Sequence, residues 1–301
     1  MNQEESLESF PLRHELDVDI LMHREVHFGG NFKVMLDYYS RHGKGARPEF
    51  EFDHIRNLAE LELNAEKNLA AMLLGGPDAE KVARAKEAYK RLRELYEQED
   101  LPCNFPLLIA DLILSEEEEP QKEIEAIVQE KSAIVPSLLE LLRAEDYYDP
   151  LFPGYGHAPT LAAKCLGEIG DKRAIISLFE AIGEEDFFNE DVLLQSLKAI
   201  GDPAKEFLLH VVNGRPVNFD NERAAIALIH FKDDPEVSEA CLKQLLDPEV
   251  RKDFALSTYL TLACEGLKDP ELQNKFIQLT EDPQTPSSLA RDIKSVSKTW
   301  K

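Results

Sequence analysis

The chain has no run of about 18 apolar residues, the length a helix needs to cross a bilayer, so no membrane span is expected. Its four cysteines, Cys103, Cys165, Cys241 and Cys264, are too scattered for a disulfide framework or a metal knuckle. They read as small core residues in a reducing cytoplasm. Basic charge is scarce: 34 Lys and Arg stand against 58 Asp and Glu, a net charge of −24. That balance excludes a nucleic-acid surface, which depends on cations meeting phosphate, and disfavours anionic membranes. The segment Met1–Phe10 holds three Glu and no basic residue, so it is not expected to be a secretory signal. The partner expected for so acidic a chain is another protein, one with a basic segment, although acidity also simply keeps a long molecule soluble.

Against these absences stands a repeat. Leu166–Asp171, Leu197–Asp202, Leu228–Asp233 and Cys264–Asp269 each end a helical pattern at an Asp. The first three Asp residues are 31 apart and the fourth follows after 36. Before each Asp the same stripe recurs: Ala162, Cys165, Leu166, Ile169; Leu193, Ser196, Leu197, Ile200; Ala224, Ala227, Leu228, Phe231; and Leu260, Ala263, Cys264, Leu267. An i, i+3, i+4, i+7 stripe is one buried helix face, with small residues where helices approach closely. Ser196 is the only polar member and is expected to bond back to its own helix.

Gly170-Asp171 and Gly201-Asp202 read as a glycine closing one helix and an aspartate capping the next. Pro203, Pro235 and Pro270 fit first helical positions. The second helices are expected to bury Ile175, Ile176, Phe179 and Ile182; Phe207, Leu208 and Val211; Val237, Ala240, Cys241 and Leu245; and Leu272, Phe276 and Leu279. A degenerate first unit holds Ile124, Ile127 and Val128, then Ile134, Val135, Leu138 and Leu141. Leu289, Ile293, Val296 and Trp300 form the stripe of a closing helix.

Over residues 121–282 these units resemble HEAT-like repeats of the phycobilisome-lyase type: a helix, a Gly-Asp-Pro-like turn, then a second helix. The resemblance implies an all-α chain, an α-α superhelix, and protein recognition more often than catalysis. Lys232 and Lys268 stand where two turns would have glycine, so those helices must close otherwise. The expected organisation is an N-terminal helical region, 1–120, ending at the acidic run Glu116–Glu119 and Pro120, then repeats and cap over 121–301. The first region is expected to contain an αα-hairpin over 53–99. One helix, Asp53–Leu74, meets a Gly75-Gly76-Pro77-Asp78 turn, and a second, Ala79–Glu99, buries Val82, Tyr89, Leu92 and Tyr96. That second helix carries Lys81, Arg84, Lys86, Lys90, Arg91 and Arg93, read as a solvated face with i, i+4 ion pairs or as a surface docking on the acidic repeats.

His23 and His27 are one helical turn apart, a spacing suited to a metal with a carboxylate such as Asp19. Arg24 occupies the place where a zincin has its Glu, so the protease reading fails, and packed histidines are the default. Of the HEAT-like enzymes, deoxyhypusine hydroxylases need repeated His-Glu pairs, and only His14-Glu15 is present. The alkylpurine glycosylases need a basic, aromatic face, whereas the one tryptophan is Trp300. Neither catalysis nor a cofactor is expected. Partner contacts are expected in the loops between units, at Tyr147, Tyr148, Tyr155, Phe187, Phe188 and Phe219, where rings stand among carboxylates. The competing reading tucks Phe152, Phe188 and Phe219 back over helix ends. The expected role is a non-catalytic, cytoplasmic adaptor or scaffold. Its alternatives are a chaperone-type lyase or cofactor-handling protein, or a subunit of a homo-oligomer.

Overall fold

The computed structural model describes residues 15–41, 47, 49–98, 103–117, 119–184 and 189–300. Among them every regular element is a helix, and helices adjacent in sequence pack on one another in an all-α, superhelical arrangement. The chain divides into two compact units: Met1–Glu123 with Ala144–Ala158, and Ile124–Arg143 with Pro159–Lys301. The expected boundary at 120 lies close to the first crossing, but the segment Ala144–Ala158 belongs with the N-terminal unit instead of the repeats.

The first unit contains α1 (Glu15–His27), α2 (Phe32–Ser40), α3 (Phe52–Ala65), α4 (Leu69–Leu73), α5 (Gly76–Glu94) and α6 (Phe105–Leu114). The helix expected over Asp53–Leu74 is two, because Glu66 closes α3 in the left-handed region at φ 51°. Helix α1 buries both of its long faces. Ile20 and Leu21 join Phe32, Met35, Ile55 and Leu58 in one core, while Met22 meets Val82, Ala85, Leu151 and Phe152 in a second. Tyr96 is 50% exposed, a correction to its expected burial, since α5 has already passed into a 3₁₀ turn there.

Apart from Gln121–Glu123 and Ala158, which fall in the first, the second unit contains α7 (Gln121–Gln129), α8 (Val135–Leu142), α9 (Ala158–Ile169), α10 (Ile175–Glu180), α11 (Glu190–Ile200), α12 (Asp202–Val212), α13 (Phe219–Leu228), α14 (Pro235–Leu245), α15 (Pro248–Lys252), α16 (Phe254–Ala263), α17 (Pro270–Gln278) and α18 (Ser287–Val296). Helices α11, α13, α16 and α18 contact in succession as one layer, and α12, α14 and α17 as the other. The recurring stripe is the seam. Leu166, Leu197, Leu228 and Cys264 are fully buried, as are their neighbours Ala162, Leu193, Ala224 and Leu260; only Ile169 is partly exposed. Burial of this stripe stabilises the array by about 25 cal/mol per Å² of apolar surface removed from water.

The small position has a specific use. Ser196 Oγ donates to the Ala163 carbonyl of α9 at 2.8 Å, across helices and not within its own as expected. This close approach depends on Gly167, where a Cβ would lie 2.6 Å from Ser196 Cα. Gly170 and Gly201 close their helices at φ +71° and +82°. The two turns without glycine close through 3₁₀ turns, Ile229–Phe231 and Cys264–Gly266. Asp171, Asp234 and Asp269 each cap through a side-chain oxygen on the backbone N–H two residues on. Asp202 does not; it is already helical and meets Lys205 at 3.4 Å. In α10 and α12, Ile176 proves 55% exposed and Val212 takes the buried place expected for Val211, because these short helices are rotated relative to the sequence register.

Candidate functional site

Two places gather the residues singled out in the sequence, one in each unit. In the second unit, Asn218 caps α13 and Asp253 caps α16, each accepting a hydrogen bond from a backbone N–H of its helix. The residue after each cap is a phenylalanine. Phe219 is 51% exposed and Phe254 69% exposed, on two helices that pack against each other. Phe219 is held by the Arg223 guanidinium, 4.5 Å from its ring centroid, and lies against Gly183. Phe254 went unnoticed in the sequence; the signal was its position directly after the capping Asp253, matching Phe219 after Asn218. Phe187 and Phe188 lie outside the described residues.

Carboxylates crowd the same edge. Burial and then Asp253 raise the Glu222 carboxyl above its ordinary range. Burial, Glu222 and Glu190 raise the Tyr259 hydroxyl. Among the described residues no Lys or Arg forms an ion pair with Glu190, Glu222 or Asp253. Arg223 turns instead to Glu184 at 3.0 Å and Asp220 at 3.7 Å. Carboxylates favour helix N-termini on their own account, by roughly 0.3–1 kcal/mol each. That explains the acids but not an exposed ring at the first position of successive helices, where a polar residue would cost nothing.

In the first unit, the histidines are packed together in the core. His23 is 1% exposed, and its ring centroid lies 4.4 Å from that of His27. Tyr39 Oη accepts the Arg47 N–H at 3.1 Å and shares a hydrogen bond with His23 Nε2, 3.2 Å away. Tyr89 Oη donates to Glu116 Oε1 at 3.0 Å, which leaves it to accept from His27 Nδ1 at 3.2 Å. The two histidines thus spend different nitrogens on different tyrosines. Asp19 faces Arg47, Lys81 and Asp149. Among the described residues no three His, Cys, Asp or Glu side chains converge on a point that could hold a metal ion.

Burial lowers the His27 pKa to about 4, against the opposing pull of the Leu151 and Pro150 carbonyls. Burial, with His27 beside it, lowers His23 well below the ordinary range. Both rings are therefore neutral at neutral pH. Burial similarly pushes the Tyr39 hydroxyl up to about 12 and raises those of Tyr89 and Tyr155.

The loop tyrosines expected to meet a partner are drawn into this unit. Tyr155, left-handed at φ 52° between two left-handed glycines, stacks on His27 with ring centroids 4.8 Å apart. Tyr147 lines a shallow groove with Arg84, Arg91 and Phe152, and burial raises its hydroxyl pKa. Tyr148 is half-buried. Phe152 is 1% exposed, tucked in as the competing reading had it. The loop is gripped by α5: Lys81 pairs with Asp149, and Arg84 with Asp146 at 2.7 Å. The basic helix therefore holds an acidic loop of its own unit through Lys81 and Arg84, not the repeats, while Lys90 and Arg91 pair along the helix as in its solvated reading. Comparison with models of known protein families and with curated proteins gives no match to this chain.

Proposed function

We propose that the protein is a non-catalytic adaptor of the HEAT-like repeat type. In this reading the edge formed by the N-termini of α11, α13 and α16 receives a partner segment carrying Lys or Arg among apolar residues. The observation that supports it is the pair of exposed rings, Phe219 and Phe254, beside carboxylates that have no basic partner among the described residues. An exposed ring gains contact area and cation–π attraction from an incoming basic segment, and the carboxylates speed the encounter. The proposal places the protein in the cytoplasm, where its four free thiols stay reduced.

The test is capture of a partner from native lysate, followed by titration of that partner against the wild type and a Phe219→Ser, Phe254→Ser variant. Both positions are exposed, so the fold should survive. The double substitution is expected to weaken binding by about 100-fold, roughly 2–3 kcal/mol, and moderate salt to weaken it further. A partner that binds both proteins equally, or binds without salt dependence, would remove this edge from consideration.

A further inference from the structure

The six basic residues of α5 do not share one task. Lys81 and Arg84 hold the loop of Ala144–Ala158 through Asp149 and Asp146, and Arg91 pairs with Glu87 at 3.2 Å on its own helix. The other three, Lys86, Lys90 and Arg93, follow one another at i, i+4 and i+7 and line a cleft of about 620 Å³ within the first unit. Lys86 reaches Glu25 only at 3.3 Å, and Lys90 reaches Glu94 at 3.5 Å and Glu87 at 4.0 Å. Arg93 lies 5.6 Å from the centroid of the Tyr89 ring and has no carboxylate in ion-pair range among the described residues. The cleft is further walled by the rings of His27, Phe28, Tyr38, Tyr89 and Tyr155. Its volume is that of a small-molecule site, and its rings stand among charged side chains.

We propose that this cleft binds a small organic anion built on a planar ring, with the ring against the tyrosines and the acid group against Lys86, Lys90 and Arg93. A planar ring matches five aromatic walls by offset or edge-to-face stacking. A guanidinium beside two loosely paired ammonium groups matches a carboxylate or phosphate. Glu116, which accepts the Tyr89 proton at 3.0 Å, can take a ring N–H on its remaining lone pairs. Glu94, Glu97 and Glu116 also line the cleft and make its formal charge neutral overall. That balance selects a ring-bearing anion over a bare inorganic one, because the ring must supply the affinity that charge alone cannot.

A nucleoside monophosphate and an aromatic carboxylate share this chemistry, and calorimetry on the full chain separates them. Adenosine 5′-monophosphate and indole-3-acetate are the anionic probes; adenosine, indole-3-acetamide and inorganic phosphate are the controls. At least one anionic probe should bind with a Kd of about 1 mM or below, and inorganic phosphate should not bind. Its uncharged counterpart should bind about tenfold more weakly, and Arg93→Gln should cost a similar factor. Tyr38→Ala should reduce binding of the same probe, while Lys81→Gln, on the loop-holding part of α5, should not. Arg93 makes no ion pair among the described residues, so its substitution takes from the fold only the contact with the Tyr89 ring, and an unchanged melting curve verifies that the fold survives. The proposal is overturned if neither anionic probe binds at roughly 5 mM, if phosphate alone binds as well, or if Arg93→Gln leaves the affinity unchanged.

Discussion

Helix α1 of the first unit buries Asp17, His23 and Arg24 within about two turns, whereas α9, α11, α13 and α16 of the second bury small and apolar side chains at one repeated spacing. Both units are helical, yet they rest on different physics. The repeats depend on area: each stripe is interchangeable with the next, and losing one methyl group weakens the seam in proportion. Helix α1 depends on particular partners, as does Arg251 of α15 in the second unit, which is 1% exposed and donates to the Leu245 carbonyl at 2.8 Å. Arg24 is fully buried and donates to Glu62 at 2.7 Å, Glu25 at 2.9 Å and Asn68 at 3.4 Å, with its guanidinium 4.3 Å from the Phe32 centroid. A buried charge of this kind adds little net stability when satisfied, but removing it leaves Glu62 with the Leu69 N–H alone and Glu25 with the more distant Lys86.

Arg24→Ala should therefore have the largest effect. The first unit should lose about 3–5 kcal/mol, seen as faster amide exchange in α1 to α4, while exchange in α11 to α16 keeps its protection. Uniform loss across both units would mean that the chain unfolds as one block and that the contrast drawn here is not energetic. Leu197→Ala, by cavity formation, should show the mirror image in the second unit.

Acid should separate the units next. His27 is held near a pKa of about 4, below the 6.5 of the unfolded chain, so the folded form binds fewer protons between those values. The stabilising term is complete above about pH 6.5 and is lost as pH falls toward 4, a change of the order of 3 kcal/mol. His23 adds to it in the same direction. Thermal unfolding followed from pH 7 to pH 4 should show the first unit weakening before the second. In His27→Gln, which cannot take up a proton, that part of the pH dependence should vanish. Persistence of the full pH profile in the variant would assign it to other groups.

The same contrast explains which parts were legible in the sequence. The repeats rest on contacts whose signature is local: Leu193, Ser196, Leu197 and Ile200 declare a buried face without knowledge of what they touch. Their exceptions are also local in sequence but need packing to be seen, as with Ile176, which faces solvent beside buried Ile175. Arg24 was noticed only as the wrong residue for a protease, because Glu62 and Asn68 are 38 and 44 residues away. The loop carrying Tyr147 and Tyr155 was assigned to the edge of the repeats for the same reason. Its attachment to α5 depends on Asp146 meeting Arg84, 62 residues away, and no periodicity announces such a pair. At the candidate edge, Phe219 was legible as an aromatic among acids, and Phe254 became so only once α13 and α16 were seen side by side.

Smaller perturbations test whether the seam of the second unit is as uniform as its stripe suggests. Gly167→Ala places a methyl group 2.6 Å from Ser196 Cα, a backbone atom that cannot turn aside. α9 and α11 must separate, straining the 2.8 Å bond from Ser196 to Ala163, and the expected cost is about 1–3 kcal/mol. An equivalent substitution at an exposed helix position would stabilise or do nothing. A neutral Gly167→Ala would show that these two helices slide freely and that the small position is not a spacing device.

The mildest test concerns the closing helix. Leu289 and Ile293 of α18 are buried, and α18 packs against α16 and α17. Trp300 follows it, donating its Nε1 proton to the Glu265 carbonyl at 2.7 Å and resting on Phe276 with centroids 5.5 Å apart. Trp300→Phe keeps a ring on Phe276 and removes only the donor, so the expected loss is about 1 kcal/mol. Deleting residues 285–301 removes the buried stripe as well and should cost several times more, with reduced solubility as the last apolar face is uncovered. If the two variants melt alike by circular dichroism, Trp300 alone holds the end of the array, and α18 is an ornament on a seam already closed at α17.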